Sequence, residues 1–283
     1  MTIVMKGAEV SARMKEALEQ ERISLQKRGI EPRLGIVRVG TRPDDLSYER
    51  GALKRFEGLG IGAQVFEFPE DIDQKAFMAE FGRINDSKDI HGILVFRPLP
   101  KHLDENAVKN AVNPLKDVDG MSMISAAKVF SGERDGFAPC TPSAVMEMLD
   151  TYDVELAGKN VALIGRSMVV GRPLAMLMLG KNATVTICHT KTRGMEDICR
   201  RADIVVAAAG KVRMVTPAFV SEDTVVVDVG INVEDGKLCG DVDYDAVAPL
   251  ASLINPVPGG VGAVTTSVLA KHVLRAAAML SGI

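Results

Sequence analysis

The sequence lacks metal-binding patterns, long apolar runs and an excess of basic residues. Its four cysteines are scattered, with neither a CxxC pair nor histidines at ligand spacing nearby, so we expect no metal site. The net charge of −3 and the absence of a basic run give no reason to expect a nucleic-acid partner. Residues 1–20 carry frequent charges and lack the apolar stretch of a signal peptide or membrane span. We therefore expect a cytoplasmic protein with reduced thiols.

The length of the chain indicates two domains. At 283 residues it exceeds what one hydrophobic core usually holds, and domains of roughly 100 to 150 residues are expected. Hydrophobic residues make up 47% and charged residues 25%, which is typical of globular proteins. No internal repeat or low-complexity tract is present.

Short apolar runs rich in β-branched residues alternate with longer helical patterns. This alternation is typical of βαβ units around a parallel sheet, so the predicted fold class is α/β. The predicted strands are Arg33–Val39, Gly92–Val95, Asn160–Ile164, Thr184–Cys188, 204–208 and 225–229.

Helical patterns and turn residues give the domain organisation. A helix is predicted over 8–28, ending at Gly29, and another over 44–59, following Pro43. The chain starts a new helix after Pro142 and then a new strand, which marks the domain boundary. We predict a first domain over 1–142, completed by a C-terminal helix within 263–283, and a second domain over 143–262.

The segment VALIGRSMVVGRP, residues 161–173, has the pattern of a phosphate-binding turn. A buried strand runs into Gly165, Ser167 and Gly171 and then into a helix. Glycines let the backbone approach a pyrophosphate closely, and the amides of the following helix stabilise the anion. The spacing departs from GxGxxG, with Ser167 at the second glycine position, so a plain tight turn is the alternative.

The residues after the next strand bear on which dinucleotide would bind. An NAD site usually has Asp or Glu at this point to bind the ribose hydroxyls. Here no acid is present, and the run is His189, Thr190, Lys191, Thr192 and Arg193. Hydroxyls and cations, together with Arg166, suit a 2′-phosphate and favour NADP over NAD. The alternative is that the two cations belong to an ordinary solvated loop.

Two further segments are rich in turn residues. NPVPGGVG, residues 255–262, combines stiffening prolines with glycines that allow close approach, which suits a loop lining a ligand cleft or simply a connecting loop. KDVDG, residues 116–120, places Asp117 and Asp119 beside Gly120. An Asp before Gly is most often a turn.

Taken in order, these segments resemble one known family over essentially the whole chain. GILVFRPLP (92–100), KDVDG, PCTP (139–142), GRSMVVGRP, DVGIN (228–232), GDVDY (240–244) and NPVPGGVG are similar to the bifunctional methylenetetrahydrofolate dehydrogenase and methenyltetrahydrofolate cyclohydrolase family. The resemblance implies two αβα domains around a cleft, the second a Rossmann-type dinucleotide domain with a mostly parallel sheet. It also implies a homodimer that binds tetrahydrofolate derivatives and NADP.

The resemblance assigns roles to particular residues. The first domain and the final helix would hold the folate, the second domain NADP, and the cleft the active site. Tyr48 and Asp119 would be catalytic, and the folate would contact Tyr48, Phe96, Asp119, Pro258 and Gly262. The dinucleotide would contact Gly165, Arg166, Ser167, Thr190 and Ile231.

At two positions the sequence replaces a polar residue of the family pattern with an apolar one. The family has a lysine four residues after its tyrosine, but the position four after Tyr48 is Ala52. Lys54 is about 240° around the helix from Tyr48 and would point elsewhere. The family motif QLPLP reads FRPLP here, so Phe96 stands at the usual glutamine.

These substitutions affect the two family reactions unequally. Hydride transfer requires mainly that the nicotinamide is held against the methylene carbon, whereas hydrolysis of the methenyl product needs an acid or base. We therefore expect a dehydrogenase with weak or absent cyclohydrolase activity, whose product is hydrolysed by a separate protein. The alternatives are a fully bifunctional enzyme, a non-catalytic folate or nucleotide binding protein, and a related dehydrogenase with another small substrate.

Overall fold

The computed structural model describes residues 2–133 and 135–283, which divide into two compact units. The first-half unit comprises Met14–Cys140 and Thr266–Ile283, and the second-half unit comprises Thr141–Thr265 with the chain up to Arg13. Among the described residues, no helix combines the length and apolar character needed to cross a bilayer.

The helices and strands alternate along most of the chain. In order they are β1 (Ile3–Val4), α1 (Gly7–Gln26), β2 (Arg33–Val39), α2 (Pro43–Leu59), β3 (Gly62–Phe68), α3 (Gln74–Asp86), β4 (Gly92–Val95), α4 (Glu105–Ala111), α5 (Met123–Ser131), α6 (Cys140–Thr151), β5 (Asn160–Ile164), α7 (Gly171–Leu179), β6 (Thr184–Cys188), α8 (Met195–Arg200), β7 (Ile204–Ala207), β8 (Val225–Asp228), β9 (Asn232–Glu234), β10 (Lys237–Cys239), α9 (Tyr244–Val247), β11 (Leu253–Ile254) and α10 (Thr265–Leu280).

The first-half unit is built on a parallel sheet of three strands in the order β3-β2-β4. All residues of β2 after Arg33 and all four residues of β4 are buried, because helices cover both faces of such a sheet. From β2 the chain runs to β3 on one side of β2 and then to β4 on the other side, so the strand order reverses between β2 and β4. Loops after these two strands meet at that point.

The second-half unit contains a six-stranded sheet in the order β1-β11-β8-β7-β5-β6. Every neighbouring pair in it is parallel, and β9 and β10 form a separate antiparallel hairpin. The strand order reverses between β5 and β7, which lie on either side of the position where a ligand is expected in such sheets.

The predicted α/β class with mostly parallel sheets is confirmed. The six predicted strands are present, with 204–208 and 225–229 each ending one residue earlier than predicted. Strand β3 was not predicted, because as an edge strand it is only partly buried and carries polar residues among the apolar ones. The strands β1 and β11 were not predicted either, because a run of two apolar residues is too short to indicate a strand.

The compact units differ from the predicted domains at the N-terminus. The prediction places residues 1–13 with the first domain, whereas the compact second-half unit includes the chain up to Arg13. The physical reason is strand pairing, because Ile3 and Val4 pair in parallel with Leu253 and Ile254. The C-terminal residues Thr266–Ile283 group with the first-half unit.

Gly92, the first residue of β4, allows a close contact in the first-half unit. A methyl group there would lie 2.7 Å from Val118 Cγ1 and 2.8 Å from Val273 Cγ2. We predict that Gly92→Ala lowers the free energy of unfolding by about 1–3 kcal/mol through overpacking. Urea unfolding followed by circular dichroism would measure this.

The matched control is Gly82→Ala within α3, where nothing lies within 4 Å of the new methyl group. This variant should be stabilised by roughly 0.5–1 kcal/mol, because alanine favours the helix. Equal urea midpoints for the two variants would contradict the proposed crowding at Gly92.

Candidate active site

The turn after β5 depends on two glycines. Gly165 has φ 136°, and a Cβ on it would collide with the carbonyl oxygen of Ala208, which follows β7. A Cβ on Gly171, at the start of α7, would collide with the carbonyl oxygen of Gly165. The glycines therefore let strand, turn and helix pack closely at the reversal of strand order.

The same turn presents groups that suit a phosphate. Ser167 and Arg166 are exposed, and the Ser167 hydroxyl accepts a hydrogen bond of 3.0 Å from the Val170 N–H. The N-terminus of α7 follows at once, and its dipole favours an anion. Backbone, hydroxyl and guanidinium groups are thus together at the carboxyl end of β5.

The loop after β6 is ordered and carries no carboxylate. The His189 N–H donates to Thr192 Oγ1 at 2.9 Å, and the Lys191 N–H donates to His189 Nδ1 at 3.1 Å. Thr190, Lys191 and Arg193 are exposed. This arrangement has the donors that a 2′-phosphate requires and no acid that would repel it.

Two buried aspartates organise the loops at the same edge of the second-half sheet. Asp241 is fully buried, and its carboxylate accepts hydrogen bonds from the backbone N–H groups of residues 209–211 at 2.6–2.9 Å. It also accepts a bond of 2.9 Å from the Asn232 amide. One side chain thereby joins the loops that follow β7 and β8.

Asp228 joins the β8 loop to the NPVPGGVG segment. Its carboxylate accepts hydrogen bonds of 2.9–3.0 Å from the N–H groups of Gly230, Asp241 and Val242. Its backbone N–H donates to Asn255 Oδ1, and its carbonyl accepts from Asn255 Nδ2, both at 2.9 Å. Burial raises the pKa of Asp228 to about 6, against the lowering effect of these N–H groups.

Ile231 and Gly262 are neighbours in the second-half unit. Ile231 is 68% exposed, and a Cβ on Gly262 would lie 3.9 Å from Ile231 Cδ1. Pro258 and Gly262 are both exposed. An exposed apolar side chain beside an exposed glycine loop suits contact with a flat ring.

In the first-half unit, Tyr48 and Phe96 form an aromatic pair. Their ring centroids are 5.9 Å apart with an interplanar angle of 83°, and Phe96 follows directly after β4. Ala52 is 0% exposed and lies on the buried stripe of α2, whereas Lys54 is exposed. Position 52, four residues after Tyr48, therefore carries no titratable group.

The KDVDG segment contains two acids in different surroundings. The Asp117 carboxylate is fully buried and accepts hydrogen bonds from the N–H groups of Met121 and Ser122 and from the Ser125 hydroxyl. Gly120 has φ 58°, which completes a turn. The turn interpretation therefore applies to Asp117, which anchors the start of α5.

Asp119 is instead partly exposed and available to a ligand. One of its oxygens accepts a 3.0 Å hydrogen bond from the Cys140 N–H, and the other lies 3.6 Å from Arg97 Nη2. Burial raises the pKa of Asp119, whereas the Cys140 N–H and the Arg97 cation lower it. Sequence reasoning missed Arg97, although the FRPLP segment contains it.

His272 on α10 supports this corner of the first-half unit. Its Nδ1–H donates to the Val118 carbonyl at 2.8 Å, and its ring lies 5.4 Å from that of Phe137. Burial lowers the pKa of His272 to about 4, so the ring is neutral at pH 7. The Val118 contact holds the backbone immediately before Asp119.

Both halves of the sequence match descriptions of one protein family. Residues 5–119 match "Tetrahydrofolate dehydrogenase/cyclohydrolase, catalytic domain", and residues 139–281 match "Tetrahydrofolate dehydrogenase/cyclohydrolase, NAD(P)-binding domain". The chain belongs to the tetrahydrofolate dehydrogenase/cyclohydrolase family. The resemblance seen in the sequence motifs is thereby confirmed.

Similar members of the tetrahydrofolate dehydrogenase/cyclohydrolase family cover the whole chain. The "Bifunctional protein FolD" of Clostridioides difficile (strain 630) is 53% identical over 274 residues, 96% of each chain. The crystal structure of the bifunctional FolD enzyme from Campylobacter jejuni has a TM-score of 0.95 at 38% identity, covering 99% of this chain and 100% of that one. The Trypanosoma brucei enzyme, complexed with NADP cofactor and inhibitor, has a TM-score of 0.93 at 34% identity, covering 100% and 99%.

The structure brings the predicted site residues of this family member into a few local groups. Tyr48 contacts Phe96 within the first-half unit, which also contains Asp119. Two predicted folate contacts, Pro258 and Gly262, belong to the second-half unit. So do all the predicted dinucleotide contacts, Gly165, Arg166, Ser167, Thr190 and Ile231.

The turn at Gly165 allows a direct test. We expect Gly171→Ala to lower the dinucleotide affinity by about tenfold to a hundredfold, because the added methyl group displaces the Gly165 carbonyl. Isothermal titration with NADP would measure this. The control is Gly180→Ala at the other end of α7, where the nearest atoms are 3.4 Å away. Equal affinities of both variants would contradict the close-packing argument.

His272 predicts a pH dependence of stability. The unfolded chain binds a proton near pH 6.5 that the folded chain binds only near pH 4. The contribution of His272 to the free energy of unfolding should therefore be intact above pH 6.5 and fall by on the order of 3 kcal/mol as the pH drops to 4. Urea unfolding at several pH values would measure this.

His272→Asn should remove this part of the slope, because the amide can still donate to Val118 but does not titrate. His102→Asn makes the same substitution at an exposed position and is the matched control. Identical slopes for the wild type and His272→Asn would exclude His272 as the source.

Proposed function

We propose that this chain is an NADP-dependent methylenetetrahydrofolate dehydrogenase with weak or absent cyclohydrolase activity. The reaction is oxidation of 5,10-methylenetetrahydrofolate to 5,10-methenyltetrahydrofolate. The proposal rests on the contrast between ligand-binding residues that are retained and a proton-transferring residue that is missing. The Gly165 turn and Asp119 are retained, whereas the buried position four residues after Tyr48 is Ala52.

The second-half unit fits a dinucleotide with a 2′-phosphate. The Gly165 turn leaves no room for a side chain, Ser167 and Arg166 are exposed beside it, and the loop after β6 carries Lys191 and Arg193. The Trypanosoma brucei relative is complexed with NADP. NADP, when bound, supplies the nicotinamide ring that accepts a hydride.

The first-half unit fits the pterin ring of the folate. The free lone pairs of Asp119 can accept hydrogen bonds from the 2-amino and N3–H groups of the ring. The half-buried Tyr48 supplies aromatic surface on α2, and the buried Phe96 ring after β4 packs against it. These residues orient the folate, and the adjacent nitrogen lone pair of the substrate drives the hydride out.

Hydrolysis of the methenyl product needs a group that moves protons. Neither Ala52 nor Phe96 can do so, and Lys54 is exposed on another face of α2. A separate protein would then hydrolyse the product.

The second candidate is a fully bifunctional enzyme, favoured by the 53% identity to a bifunctional relative. From family membership, we also propose a homodimer in the cytoplasm.

A coupled assay tests the proposal. The wild-type protein should reduce NADP with methylenetetrahydrofolate, and the methenyl absorbance should then decay near the uncatalysed rate. The double variant Ala52→Lys with Phe96→Gln should accelerate this decay by about tenfold or more, because it supplies a proton-carrying group.

Ala52→Met with Phe96→Gln is the matched control, since it adds a side chain of similar length without an amine. Thermal unfolding checks that both double variants fold. Wild-type decay far above the uncatalysed rate would favour the bifunctional alternative. Folate binding without turnover of NADP or NAD would indicate a non-catalytic binding protein.

A further inference from the structure

Arg97 is a cation at the candidate folate site for which the family pattern has no counterpart. It occupies the leucine position of the QLPLP motif, which reads FRPLP here, and it follows β4 by two residues. Its side chain is 18% exposed and that of Asp119 is 24% exposed. Both groups therefore reach the surface of the first-half unit where a ligand can contact them.

The distance between the two charges leaves both able to bind a ligand. Arg97 Nη2 lies 3.6 Å from Asp119 Oδ2, which is longer than a hydrogen bond of 2.7–3.2 Å. The guanidinium N–H groups and the carboxylate lone pairs are therefore not consumed by each other. Attraction between the charges still holds the two side chains side by side.

The other acid near Arg97 already has a partner. Glu105 forms an ion pair with Lys109 four residues along α4, and it accepts a 3.3 Å hydrogen bond from the Leu99 N–H. The other oxygen of Asp119 accepts from the Cys140 N–H, and the Cys140 thiol also interacts with this carboxylate. Arg97 and Asp119 thus form an adjacent donor and acceptor pair.

This pair complements one edge of a pterin. The 2-amino group and N3–H are donors, and the neighbouring 4-oxo group is an acceptor. A carboxylate can accept from the two ring donors, and an adjacent guanidinium can donate to the ring acceptor. A 4-amino group would instead present a donor to the cation, and both would lack a partner.

Building on the proposed function, we propose that Arg97 is a specificity-determining residue that donates to the 4-oxo group while Asp119 accepts from the 2-amino and N3–H groups. The ligand class is then 2-amino-4-oxo pterins, and 2,4-diamino analogues are rejected. The side chain also supplies a positive charge in a site that has alanine in place of the family lysine.

A matched pair of inhibitors tests this assignment. Folic acid and its 4-amino-4-deoxy analogue differ in the group at position 4 and in the N3–H, which the 4-amino ring lacks. Their inhibition constants against methylenetetrahydrofolate oxidation can be compared at pH 8. The wild type should prefer folic acid by about tenfold to a hundredfold, because an unpaired buried polar group costs that much affinity.

Arg97→Leu should weaken folic acid far more than the 4-amino analogue, so that the preference falls to the part that Asp119 contributes through N3–H. Arg97→Lys retains a cationic donor with no acceptor and should keep the preference. Arg83→Leu, which removes an exposed arginine paired with Glu80 on α3, should leave the preference unchanged. Circular dichroism and thermal unfolding verify that each variant folds.

Equal weakening of both inhibitors by Arg97→Leu, or no preference in the wild type, would overturn the assignment. A wild-type protein that fails to oxidise methylenetetrahydrofolate would instead refute the proposed function, and the assignment of Arg97 with it. If Arg97→Leu does not fold, loss of the preference in Arg97→Lys overturns the assignment on its own.

Discussion

Parallel strands deliver the loops that follow them to one edge of a sheet, and in each unit the strand order reverses at one point on that edge. The reversal separates β2 from β4 in one unit and β5 from β7 in the other. The backbone must pass closely there, which is why Gly165 cannot carry a side chain against the Ala208 carbonyl. Phe96 and Arg97 lie beyond β4 for the same topological reason.

Buried carboxylates hold these loops in place by satisfying backbone N–H groups. Asp117, Asp228 and Asp241 each accept several such bonds and are almost completely buried. Asp119 differs, because it has one backbone donor and a cation at 3.6 Å and remains partly exposed. The buried acids that support the fold therefore have their oxygens occupied by several donors, whereas Asp119 is the acid that can bind a ligand.

The departures from the family pattern lie on two neighbouring elements of the first-half unit. Ala52 and Phe96 replace polar groups with apolar ones, and Phe96 packs edge to face on Tyr48. Arg97 places a cation beside Asp119 instead. Position 52 of α2 therefore carries no positive charge, whereas a positive charge lies two residues after β4.

Local patterns were enough to predict the strands buried on both faces, such as β2 and β5, because continuous β-branched runs between helical patterns indicate them. They also predicted the Gly165 turn, whereas Asp119 was assigned a role through the family resemblance and not through its local pattern. The pairing of β1 with β11 and the approach of Arg97 to Asp119 were visible only in the folded chain. These contacts join residues far apart in the chain, and no local periodicity encodes which distant groups will meet.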